Sequence, residues 1–101
     1  GSDKVRTATF SIAVPKDGDY EVRISHQAHE NRSSKTQVTV HHANGDRTIL
    51  VNQRIAPPLA KGFFGLGVFR FEAGKPASVV VSNEGADGNV HIDAVQVILQ
   101  K

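Results

Sequence analysis

The residues in this chain best suited to chemistry sit in one polar stretch, His26-Gln27-Ala28-His29-Glu30-Asn31-Arg32. Two imidazoles, two amides and a guanidinium there offer hydrogen bonds to sugar hydroxyls and charge to an anion. From His26 to Ser34 the chain is polar and has neither alternation nor helical period, so it reads as a surface loop. His26, His29, Asn31 and Arg32 are therefore the candidate ligand-binding group, at a rim where strand ends project. The competing reading is a solvated loop in which Arg32 is a hydrogen-bonded anchor. Asp93, just before Ala94-Val95, is expected to be a buried structural anchor, with Arg32 as its partner.

Other chemistries fit poorly. His41 and His42 are adjacent on a strand and point to opposite faces, so they cannot chelate one ion. The chain has no cysteine, and no carboxylate completes a tetrahedral set, so no metal site is expected. Asp87 and Asn89 flank Gly88, but a calcium loop needs more carboxylates, and a tight turn is expected. Ser25, Ser33, Ser34, Ser78 and Ser82 lack the context of an activated nucleophile. Glu30 and Asp87 are the carboxylates that could in principle share a glycosidase cleft. No catalytic residue and no cofactor is assigned, and the chain is not expected to be an enzyme.

The elements that would position these residues are strands. Thr7 to Val14 places Ala8, Phe10, Ile12 and Val14 on one face. Pro15-Lys16-Asp17-Gly18 forms a turn, and Asp19 to Ser25 places Tyr20, Val22 and Ile24 inward. Thr36 to His42 and Arg47 to Gln53 flank Asn44-Gly45, a strong hairpin signal. A loop of those two residues sets Val40 opposite Ile49 and Val38 opposite Val51. Phe63 to Phe71 is apolar in two competing phases, which predicts a bulge near Gly67. Ser78 to Asn83 follows. Val90 to Leu99 closes the chain, with a phase shift near Asp93-Ala94. About seven strands with regular turns and no helical period predict an all-β antiparallel sandwich.

The 101 residues make one domain. Gly1-Ser2 reads as an expression remnant, leaving 3–101 as the sandwich. Net charge is +2 and the basic residues are dispersed, which argues against nucleic acid. No apolar run is long enough to span a membrane. With no Trp and one Tyr, a flat aromatic platform for crystalline polysaccharide is not available. A glycan site would be polar with at most one ring, and Phe63, beside Phe64 and the Pro57-Pro58 loop, is the candidate ring.

Several stretches taken in order resemble a known family. They are Pro15 to Val22, Asn31-Arg32, Val40 to Gly45, Val51-Asn52-Gln53, Gly67 to Phe71, Val81 to Gly88 and Ile92 to Val95. Together they resemble the golvesin C-terminal, xanthan-lyase-type carbohydrate-binding-like domain. The resemblance implies a jelly roll similar to galactose-binding-like domains, appended to secreted bacterial enzymes and hence extracellular or periplasmic. It also implies a family segment before Thr7 that is missing here, which would leave a sheet edge open to a homodimer. The expected function is a non-catalytic accessory module that binds carbohydrate, an acidic polysaccharide given the cationic loop, and tethers an enzyme in cis. The alternative is a structural or assembly module that packs against its parent enzyme or another protein.

Overall fold

In the computed structural model, residues 6–26, 31–55, 59, 62–88 and 90–100 are described. The seven strands are β1 (Thr7–Ile12), β2 (Gly18–Ser25), β3 (Thr36–His42), β4 (Gly45–Val51), β5 (Phe63–Phe71), β6 (Ala77–Ser82) and β7 (Ala94–Leu99). They form a four-stranded sheet in the order β1-β6-β3-β4 and a three-stranded sheet in the order β5-β2-β7. Every pairing is antiparallel. The chain switches sheets at most connections, so β1 meets β6 and β2 meets β7. That pairing of early with late strands is the jelly-roll pattern, and the expected sandwich is what forms.

Alternation explains which side chains face inward. Tyr20, Val22 and Ile24 of β2 are buried, as are Val38 and Val40 of β3 and Val79 and Val81 of β6. Phe71 is buried at the end of β5 and meets Tyr20 edge-on, with ring centroids 6.0 Å apart. The Tyr20 hydroxyl donates to Lys16 O (2.8 Å), so a core aromatic also fixes the turn before its own strand.

The two competing phases of β5 are reconciled by the predicted bulge. Val22 stands opposite Gly67 while Arg23 stands opposite Gly65. Leu66 is the extra residue, and it is buried along with Phe69 and Phe71. One added residue moves the inward set from even to odd positions. A similar count occurs at the start of β7. Asp93 N donates to Ser25 O (2.9 Å), while Ser25 already stands opposite Ala94. Ile92 and Val95 can thus both pack against the core.

The β3–β4 register differs from the expected one by two residues. Val38, not Val40, faces Ile49, and His42 pairs with Gly45, so the two-residue loop is Ala43-Asn44. The other sheet decides this. Ala43 N donates to Arg70 O of β5 (2.9 Å), so it is not free to close the hairpin, and the His42 ring rests on Phe69 with centroids 5.0 Å apart. A shift of two preserves which residues face inward, so alternation alone could not separate the two registers.

Candidate functional site

Where β1 and β6 end, the ladder brings Thr7 opposite Ser82. The next residues out, Arg6 and Asn83, clasp each other. Arg6 N donates to the Asn83 side-chain oxygen (2.7 Å) and Asn83 N donates to Arg6 O (3.1 Å). Beside this clasp opens a cleft of about 970 Å³. Its polar lining includes Arg6, Arg32, Asn83, Asp87 and His91. Its apolar wall includes Ala8, Phe10, Val81, Val90 and Ile92.

Three connections form the rim, and they are tied to one another. Asp87, between β6 and β7, accepts from Ser34 N (2.7 Å), Ser34 Oγ (2.5 Å) and Ser33 Oγ (3.2 Å). Arg54 adds an ion pair to Asp87 at 3.5 Å and donates through Nε to Arg32 O (2.8 Å). The Ser34 hydroxyl, then the Ser34 amide, with Ser33 and the Arg54 charge, hold the Asp87 carboxyl well below the usual carboxylate range. Gly88 lies against the backbone of the 31–32 segment. A Cβ there would sit 2.6 Å from Arg32 O, so no other residue fits without moving the rim.

Gln53 is fully buried and holds the approach to β7. Its Nε2 donates to His91 O (2.6 Å) and its Oε1 accepts from His91 N (3.2 Å). Thr36 Oγ1 donates to the same Oε1 (3.2 Å), and Gln53 N donates to Ser33 O (2.8 Å). A buried amide needs this many partners to be tolerated, and here they fix the backbone of a cleft residue.

The residues expected from sequence are dispersed. Arg32 lines the cleft. Asn31 is exposed beside it in sequence. His26 is instead buried, and its Nε2 donates to Ile55 O (3.2 Å). His29 lies outside the described residues. Phe63 is half-buried on β5, paired with Ser25 of β2 in the three-stranded sheet, and is not part of the cleft lining. Asp93 corrects an expectation. It is exposed, and its partner is His91 Nε2 at 2.6 Å, not Arg32. Its amide, rather than its carboxylate, is what ties it to β2. The anchoring carboxylate is Asp87.

Sequence reading missed Arg6, Asn83, His91 and Phe10 as cleft residues. Arg6 and Asn83 are 77 positions apart, and only the β1–β6 register joins them. The signal that could have found the rim was present, since the Val51-Asn52-Gln53 and Val81 to Gly88 stretches contain Gln53, Asn83, Asp87 and Gly88.

Among the described residues, no group of histidines and carboxylates could hold a metal ion. Ser33 and Ser34 give their hydroxyls to Asp87 rather than to an imidazole. Fold and cleft together define a small all-β sandwich with a preformed polar cleft at one end. The Golvesin C-terminal domain family matches residues 1–99, and the chain belongs to that family. It is 34% identical over 96 residues to a xanthan lyase of Bacillus sp. (strain GL1), covering 92% of this chain and 10% of that protein. It also superposes on the solved structure of Paenibacillus xanthan lyase with a TM-score of 0.85 and 29% identity, over 94% of this chain and 9% of that one. The chain thus spans about a tenth of the length of these relatives.

Proposed function

We propose that this domain is a non-catalytic accessory module that binds polysaccharide, acidic polysaccharide in preference to neutral, and holds a secreted enzyme on it. The observation that carries this reading is the cleft, with two guanidinium-bearing residues, an amide and an imidazole facing a wall that includes Phe10, Val90 and Ile92. Sugars present C–H faces and hydroxyls together, and a mixed cleft on a knitted rim suits them. The similarity to about a tenth of a xanthan lyase supports a polysaccharide-active parent in cis and a place outside the cytoplasm. The sequence-expected group contributes Arg32 to this site, with Asn31 next to it. Affinity electrophoresis through gels containing acidic or neutral polysaccharide tests the reading. Retardation by the acidic polymer, with no fall in its length, is expected. Equal mobility in every gel would overturn it.

A second reading, packing against another chain, has its own observation. Among the described residues β1 and β7 are sheet edges, and they carry no charge or proline from Thr7 to Ile12 or from Ala94 to Leu99. Phe10, Ile12, Val95 and Val97 line a shallow seam between them. The opposite edges are guarded, β4 by Asp46 and Arg47 and β5 by its bulge. An uncharged edge can pair antiparallel with its own copy without repulsion.

A further inference from the structure

The cations of the cleft have no anionic counterpart among the described residues. Asp87, the carboxylate in its lining, is occupied by Ser33, Ser34 and Arg54. Asp93 is engaged by His91. Arg32 is half-buried, and its Nε is buried with no hydrogen-bond partner among the described residues. Buried donors in folded proteins are almost always paired. The Arg32 backbone, by contrast, is held from two sides, by Arg54 Nε and by Gly88.

Resting on the polysaccharide-binding reading, we propose that the cleft is a receptor for a sugar carboxylate, with the Arg32 guanidinium as its fork and Arg6 as the second cation. A guanidinium offers parallel N–H donors in one plane, and a carboxylate matches that plane. Arg6 comes from the β1 side and Arg32 from the loop side, so a carboxylate between them meets positive charge from both. The ring carrying it lies against Phe10 and Ile92, where its C–H face displaces water from apolar surface. The fixed Arg32 backbone lowers the ordering needed on binding.

The test measures affinity of the whole chain for a glucuronate-containing oligosaccharide, its carboxyl-reduced neutral derivative, and a sulfated neutral oligosaccharide of equal length. The glucuronate ligand is expected to bind at least about tenfold more tightly than the reduced one, the size of one charge-assisted hydrogen bond. Arg32→Gln is expected to lose that margin, and Arg32→Lys to lose most of it because charge stays but the fork is gone. Arg6→Gln, at an exposed position, is expected to weaken binding severalfold without affecting folding. Lys75→Gln removes the same charge from the turn at the far end of β6 and is expected to change nothing. Unchanged glucuronate affinity in Arg32→Gln and Arg6→Gln would overturn the carboxylate site while leaving the binding reading intact. Tighter binding of the sulfated ligand would overturn the ligand class. Failure of all three ligands and of acidic polymer to bind the unaltered chain would overturn both readings.

Discussion

A single carboxylate, Asp87, joins the loops that shape the cleft. Its donors stabilise the ionised form, so its folded pKa lies below its unfolded value. The stabilisation is therefore complete above the unfolded pKa, about 3.9, and is lost as pH falls toward the folded value. Denaturant melts across acid pH are expected to show stability falling below about pH 5, and Asp87→Ala is expected to flatten that limb. Equal slopes in the two proteins would show that Asp87 is not the group responsible. Asp93→Ala is expected to cost less than about 0.5 kcal/mol, since an exposed pair contributes little. Gln53→Ala is expected to cost about 1–3 kcal/mol, because it strips partners from a buried network around His91. Thermal melts of the two variants side by side check the order, and an Asp93 effect equal to that of Gln53 would reverse it. Asp93 sits at the phase shift near Asp93-Ala94, where alternation no longer separates inward from outward positions, so its exposure was not legible. Gln53 gave no signal either, because nothing local to a glutamine announces that two distant backbone groups will meet it.

At the scale of strands, most of the fold was legible. The expected runs, about seven, became seven strands among the described residues, and the phase conflict in Phe63 to Phe71 announced its bulge. The hairpin register was not legible, because the bond that decides it, Ala43 N to Arg70 O, comes from the other sheet. Cross-strand contacts between Val38 and Ile49 in solution check this register, whereas contacts between Val40 and Ile49 would restore the simpler one. Arg32 aside, the cleft lining was not legible, for the same reason as the hairpin register. Arg6, Arg32, Asn83 and His91 come from four separate places in the chain, and only the β1–β6 ladder and the Gln53 clasp gather them. The unguarded β1 edge leads to a further expectation. The chain should self-associate at high concentration, and Thr9→Lys, at an exposed β1 position, should abolish this by placing a charge on the edge. Sedimentation showing a monomer at every concentration would count against the packing reading.

At the scale of the whole molecule, a two-sheet scaffold presents a cleft at one end. The sandwich core is continuous through both sheets, from Tyr20 and Phe71 to Val38, Val79 and Val81. The side chains proposed to bind ligand lie at one end, where Asp87, Arg54 and Gln53 cross-link the described connections. A site with exposed cations should bind less tightly as salt rises, because exposed charges are screened beyond about 8–10 Å at ordinary ionic strength. Most of the binding to acidic oligosaccharide is therefore expected to disappear at about 1 M salt, where screening acts within about 3 Å. Binding that persists there would point to the apolar wall as the dominant contact. The most direct test of the central claim is to follow backbone amide shifts while titrating a glucuronate-containing oligosaccharide into labelled protein. The account predicts shifts that converge on Arg6, Arg32, Asn83, Gly88 and His91 and leave β4 and the Ala73–Lys75 turn unmoved. Shifts centred on Phe63 and β5, or none at any ligand concentration, would contradict it.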